Sequence, residues 1–379
     1  MPLRRTVGSV LAGVLLAGAA LLVPATPAVG AVTSGAIFNN PTVPAEQQRI
    51  VDHIRGLIQG APAGSTISIA MYHWSVGSVA NDVVAAHNRG VNVRIVLDYL
   101  SAQYAAVDTM RTALGTNRAN RSWVTFCTQG GACIGTVGTP IMHNKFFLFS
   151  NTSGSTNVVV QSSANLTPSN ATAYWNNAVT IVGNAGLYNA YLSYFEDLAA
   201  KKKTSNYYRT VGSGNVKAYF FPRAGSGAST DTIYNMLKEN VTCEGNTTVG
   251  TQTGRTIIRI GMWFFSRNGI AEMLRTLANR KCWIEVVYTE MDADVKRILS
   301  GHSRIVLYRL SGDYIVHSKY MLIEGTYAGQ RNTKWVITGS HNYSNAALRE
   351  NDEAMVRISS ATIHDQYRSN FWALRAAAS

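Results

Sequence analysis

Apolar and polar positions fall along the chain in short runs that recur, in the same order, twice. Ile69-Ala-Met-Tyr-His-Trp-Ser75 is matched by Ile260-Gly-Met-Trp-Phe-Phe-Ser266, and both follow alternating Ile and polar residues. Runs of this kind predict buried strands. A helical pattern follows each, from Val79 to about Asn88 and from Ile270 to about Asn279. Further strands are predicted in matched pairs, at residues 91–98 and 283–288, 146–149 and 320–323, and 157–161 and 334–338. Strand, helix, strand in this order predicts an α/β fold built from two similar halves.

The halves are expected at residues 32–210 and 211–379. They join through a polar stretch whose Lys201, Lys202 and Lys203 suit a solvated helix end. Ahead of them, Arg4 and Arg5 precede an apolar run over residues 7–23, and the small residues Ala28, Gly30 and Ala31 follow. A basic start, an apolar run and small residues predict a secretory signal over residues 1–31, and hence a secreted protein. Gly13, Gly18 and Pro24 argue against a membrane anchor. The composition, 46% hydrophobic, is that of a globular protein. Loss of Arg4 and Arg5 would lower the net charge from +13 to +11. That balance favours anionic partners, nucleic acid or acidic lipid, without choosing between them.

Four cysteines in an exported chain predict two disulfides, with three connectivities open. Cys127–Cys133 with Cys243–Cys282 is favoured because each pair stays within one half. The alternative of a metal knuckle at Cys127 and Cys133 lacks further ligands nearby. The spacing between landmarks is longer in the first half, which places extra residues near 116–138 as a disulfide-pinned loop ahead of His143.

The chemistry sits in two short motifs. His143-Asn144-Lys145 is followed by Ser162-Ser163-Ala164-Asn165, and His317-Ser318-Lys319 by Gly339-Ser340-His341-Asn342. Imidazole can attack phosphorus or shuttle protons near neutral pH. Lys145 and Lys319 can neutralise phosphate oxygens, Asn165 and Asn342 can donate to them, and Ser163 and Ser340 can support the oxygens or the imidazoles.

The paired motifs resemble the phospholipase D superfamily signature, His-x-Lys-(x)4-Asp followed by Gly-Ser-x-Asn, over nearly the whole mature chain. The resemblance implies two halves, mixed sheets flanked by helices, about a pseudo-twofold axis, with both motifs in one cleft. It also implies a phosphohistidine formed by one His, with the other as general acid and then base, and no metal or cofactor. The family's acid falls at Ser150 in the first copy and Glu324 in the second, and in the family it is mostly structural. A second acid usually follows the Ser-x-Asn. The second half has Asn351-Asp352-Glu353, whereas the first has Asn176-Asn177-Ala178 without an acid at the matching position. In the family that acid serves the His of the opposite half, so Glu353 is expected to orient His143, favouring His143 as nucleophile and His317 as acid.

Other candidates receive plainer readings. Tyr72, Trp74, Trp263, Phe264, Phe265, Tyr174 and Trp175 are expected in the core, with a platform for acyl chains or bases as the alternative. His73 is expected to pack, and His53, His87, His302, His341 and His364 receive no role. Asp98 and Glu290 end matched strands and could reach the cleft. The expected protein is therefore a secreted, monomeric phosphodiesterase, by preference a phospholipase D that meets a membrane surface peripherally. An extracellular metal-independent nuclease and a non-catalytic binding protein are the alternatives.

Overall fold

The computed structural model describes residues 1–3 and 30–378, and the expected signal lies almost entirely outside the described residues. The two sheets and their helices all belong to the unit Ala31–Ser379. Its strands are β1 (Gly35–Phe38), β2 (Thr66–Met71), β3 (Asn92–Leu97), β4 (Trp123–Phe126), β5 (Lys145–Thr152), β6 (Ser155–Ser162), β7 (Tyr174–Trp175) and β8 (Asn177–Ile181) in the first half. The second half has β9 (Arg209–Ser213), β10 (Val216–Phe220), β11 (Val241–Thr242), β12 (Ile257–Phe265), β13 (Trp283–Met291), β14 (Ile305–Arg309), β15 (Ile315–Val316), β16 (Lys319–Tyr327), β17 (Gln330–Gly339) and β18 (Ala354–Ser359).

The first sheet has the order β1-β8-β6-β5-β2-β3-β4, and the second runs β10-β18-β17-β16-β12-β13-β14 with β9 added at the edge. Strand for strand these are one topology used twice. In each, the three strands at one side are parallel and the others antiparallel, giving mixed sheets. β9 spans the expected join after residue 210 and pairs with β10, so the chain crosses to the second sheet ahead of Arg209.

Both faces of each sheet are covered, which is why the strand sequences read as continuous apolar runs rather than alternating ones. Phe146 and Leu148 of β5 point inward and join Tyr320 and Leu322 of β16 in a shared core with the helices Ala185–Ala199 and Ala361–Ala377. Phe147 and Phe149 point the other way, against the helices Arg49–Gln59 and Gly77–Asn88. Met321 and Ile323 do the same against Asn268–Asn279. Each large side chain so buried contributes about 1.5–3 kcal/mol.

The disulfides are Cys127–Cys133 and Cys243–Cys282, the favoured pairing. The first closes a loop between β4 and His143. Only part of the first half's surplus lies there, and the longer helical connection after β3, including Ala105–Leu114, takes the rest. The Lys run follows the end of helix Ala185–Ala199, where Lys202 pairs with Asp197. Glu324 is structural, paired with Arg259 at 2.9 Å and with Arg368. Ser150, in the matching place, accepts the Thr66 N–H at 2.8 Å. Among the described residues no helix is long and apolar enough to cross a membrane.

Candidate active site

Each His-x-Lys motif straddles the start of a long strand. Lys145 and Lys319 open β5 and β16, and His143 and His317 stand two residues earlier. That spacing puts imidazole and ammonium on one face of an extended chain. β6 and β17 run antiparallel to these strands and end at Ser162 and Gly339, so the Ser-x-Asn segments emerge beside the same strand starts.

The halves complete each other. β7 pairs in parallel with β15, just ahead of His317, and Met142 bridges Asp352 in the same sense. His317 N–H donates to Trp175 O at 2.9 Å, and His143 N–H donates to Asp352 O at 3.0 Å. In both cases the following residue meets the imidazole. Glu353 Oε1 lies 2.8 Å from His143 Nδ1, and Asn176 Oδ1 lies 2.8 Å from His317 Nδ1.

Asn176 was not among the expected site residues, and its place corrects the reading of Ala178. The register sets Ser162 opposite Ala178 and Gly339 opposite Met355. Ala178 therefore matches Met355, and the residue matching Glu353 is Asn176. Asn176 Nδ2 donates to Asn170 O at 2.9 Å, and Ser163 Oγ donates to Asn176 Oδ1 at 2.9 Å. The amide oxygen is thus fixed toward His317, whose Nδ1 carries the proton and whose Nε2 is left reactive. Ser340 Oγ accepts the Ala354 N–H at 3.2 Å, as Ser163 Oγ accepts that of Asn177 at 3.0 Å. The serines thus brace the segments that hold the imidazoles.

Lys145 and Lys319 are fully buried and donate to the carbonyls of His143 and His317 at 2.5 and 2.6 Å. The Tyr72 ring lies 5.1 Å from Lys145 Nζ and 5.0 Å from the His143 ring, and Trp263 lies 5.3 Å from Lys319 Nζ and 5.1 Å from His317. Tyr72 and Trp263 are half-buried walls of the site rather than core, because they sit where β2 and β12 run out beside the motif strands. Trp74, Trp175 and Phe265 are buried in the core as expected. Half-buried Tyr174 packs on His317 at 5.6 Å, and His73 packs on Tyr104 at 4.9 Å. Asn165 and Asn342 are nearly buried, and neither Oδ1 has a partner among the described residues. An amide left unsatisfied is costly, which suits a group that completes its bonds with a ligand.

Burial pushes every ionisable group here toward its neutral form. His143 is lowered to about 4 by burial, with Lys145 and Lys319 adding to the shift and Glu353 opposing it. His317 is held well below its ordinary range by burial, with Lys319, Lys145 and His143 adding to the shift and the Ser163 backbone opposing it. Lys145 falls to about 7 through burial. Burial also disfavours the charge on Glu353, but His143 and Lys145 outweigh it and hold the carboxyl below its usual range. Two buried lysines and two buried imidazoles thus lack the negative charge that would favour their protonated forms, and a phosphodiester would supply it.

His341 is a further residue that sequence reasoning passed over. It is 1% exposed, its Nδ1 has no partner among the described residues, and burial lowers it to about 4. It feels Glu353, Lys319 and His143, whereas its counterpart in the first half is Ala164. Its middle place in Ser-x-Asn gave no signal. Asp98 is buried and accepts the Met142 N–H at 3.0 Å, next to His143, whereas Glu290 is exposed.

The family model described as "Cardiolipin synthase, PLD-like domain" matches residues 55–199 and 252–375. No curated protein matches the sequence. Among solved structures, phosphatidylserine synthase from Haemophilus influenzae Rd KW20 is similar with a TM-score of 0.61 at 12% identity, covering 90% of this chain and 86% of that one. Polyphosphate kinase from Porphyromonas gingivalis gives 0.59 at 13% identity, covering 90% of this chain, which spans only 50% of that protein. Nuc from Salmonella typhimurium, a phospholipase D family member, gives 0.34 at 19% identity over 48% of this chain and 97% of its own. Together with the paired motifs, the family match places this chain in the PLD-like domain family of the phospholipase D superfamily.

Proposed function

We propose that the protein is a secreted phosphodiesterase that hydrolyses phospholipid head-group esters through a phosphohistidine. The observation that carries the chemistry is the pair of buried imidazoles, each held at Nδ1 by the opposite half and each with a lysine on the same strand face. Binding a phosphodiester brings negative charge against Lys145, Lys319, His143 and His317 and raises the proton affinity of all four. His317 is then protonated at Nε2 while His143, hydrogen-bonded through Nδ1–H to Glu353, presents a free Nε2.

In the first step the His143 Nε2–phosphorus bond forms, the ester P–O bond breaks, and the His317 proton passes to the departing oxygen. The ring of His143 gains positive charge, which the Glu353 carboxylate stabilises. In the second step His317 takes a proton from water, the water oxygen bonds to phosphorus, and the N–P bond breaks. An alcohol in place of water gives transfer instead of hydrolysis. Asn165, Asn342 and the lysines hold the phosphate oxygens throughout. An amide at Asn176 suits the acid, because it orients His317 without weakening its tendency to release a proton.

A lipid substrate is supported by apolar side chains in the segments that border the site. Tyr99 and Leu100 follow β3, Val137 lies in the stretch leading to His143, and Tyr314 lies just ahead of His317; all four are exposed. Such residues suit a peripheral contact with a membrane surface. The test is head-group release from phosphatidylcholine and phosphatidylglycerol vesicles in EDTA, beside cleavage of single- and double-stranded DNA. Head-group release without DNA cleavage supports the reading, and the reverse favours a nuclease.

A further inference from the structure

The contact between Glu353 and His143 hangs on its neighbour. Asp352 is fully buried, and its carboxylate takes the backbone N–H groups of Cys133 at 2.8 Å, Ile134 at 3.0 Å and Gly135 at 2.8 Å. Its carbonyl takes His143 N–H at 3.0 Å and Asn144 Nδ2 at 3.1 Å, and its own N–H reaches Ile141 O at 3.0 Å. One residue thus grips the disulfide-closed loop with its side chain and the strand entry of His143 with its backbone.

The loop is itself anchored. Lys203 Nζ donates to Ala132 O at 2.5 Å, Thr204 N–H donates to Ile134 O at 2.9 Å, and Cys127–Cys133 closes its base. Gly135 lies so close to the second half that a Cβ there would collide with Glu350 O. Among the described residues the other crossing has no such device. Trp175 occupies the place of Asp352, and its carbonyl takes His317 N–H and Ser318 Oγ, but its side chain is an indole.

We propose that Asp352 is a positioning residue, and that the Cys127–Cys133 loop serves to set Glu353 against His143. The loop supplies three N–H groups in a row, a concavity that suits a carboxylate. Asp352 is one peptide from Glu353, so the seat of its side chain fixes where the Glu353 carboxylate begins. Misplacement by about 1 Å can cost on the order of 10²-fold in rate. The inference rests on the proposed function only for its kinetic readout.

The test compares Asp352→Asn, Gly135→Ala and the double variant Cys127→Ser/Cys133→Ser with Cys243→Ser/Cys282→Ser, all in the full mature chain. Three quantities are read: kcat and KM on a p-nitrophenyl phosphodiester in EDTA, the thermal midpoint, and the low-field proton resonance of His143 Nδ1–H. The first three variants are expected to lower kcat by about 10- to 100-fold with little change in KM and to shift or lose the resonance. Cys243→Ser/Cys282→Ser is expected to lower the thermal midpoint while keeping kcat and the resonance. An unmoved resonance in both Asp352→Asn and Cys127→Ser/Cys133→Ser overturns the proposal, as does an equal loss of kcat in both disulfide variants. If Asp352→Asn does not fold, the loop disulfide variant, which retains every donor to Asp352, decides by itself. A shifted resonance in a protein that cleaves no phosphodiester would refute the proposed function and leave the positioning intact.

Discussion

Replacing Glu353 by Gln gives His143 the kind of partner His317 already has. Both side chains are buried and the contact is 2.8 Å, so shape is preserved and only the charge is removed. A buried hydrogen bond to a charged group is worth about 1.5–3 kcal/mol against roughly 0.5–1.5 for a neutral one, a difference of about 1–2 kcal/mol. At about 1.4 kcal/mol per tenfold, kcat should fall roughly 5- to 30-fold. Glu353 also supports the charge on Lys145, so the assay belongs near pH 6, below the value of about 7 at which Lys145 loses its proton. Initial rates on a p-nitrophenyl phosphodiester, with the thermal midpoint as a folding control, give kcat and KM separately. Asn176→Ala, which leaves the buried His317 Nδ1–H without its acceptor, should cost about 5- to 150-fold. The reasoning fails if Glu353→Gln leaves kcat unchanged, or if Asn176→Ala does.

On a p-nitrophenyl phosphodiester, whose leaving group needs no proton from His317, the pH dependence of kcat/KM should be bell-shaped. His143 must be neutral to attack, so activity rises through about pH 4, and Lys145 must be charged to meet the anion, so it declines above about pH 7. A profile flat across this range would contradict the roles given to the two residues. Glu324→Gln should lower stability by about 1.5–3 kcal/mol through its Arg259 contact, seen in urea unfolding, while kcat stays as it was. Loss of kcat in the folded variant would show that this acid is more than structural. Vesicle binding should weaken as salt rises and should favour anionic lipid, given the net charge of +11 that remains without Arg4 and Arg5. Salt-independent binding in a co-sedimentation assay would leave the apolar rim as the sole contact.

The repeat and its fold were legible because both faces of each sheet are covered, so each strand is a continuous apolar run, and the same runs occur twice in the same order. The motif residues were legible because each acts within a few positions of its partner. Asn176 was also within reach, since it follows Asn165 at the same separation at which Glu353 follows Asn342. It was missed because the neighbouring asparagines imitate Asn351 and draw the match two residues too far along. Tyr72 and Trp263 read as core because composition does not tell the buried part of a strand from its open end. The seat of Asp352 on Cys133, Ile134 and Gly135 was not legible at all. It joins residues far apart in the chain through backbone N–H groups, which carry no mark in the sequence.

The central claim, that one composite site divides its labour between His143 and His317, is tested most directly by trapping the covalent intermediate. A p-nitrophenyl phosphodiester leaves without help from an acid, so a His317→Asn variant should still form the phosphohistidine but should lack the base that hydrolyses it. Rapid alkaline quenching and peptide mass spectrometry should then find the phosphoryl group on His143 in His317→Asn and nowhere in His143→Asn. A phosphoryl group on His317, or turnover that survives loss of both histidines, would contradict the account.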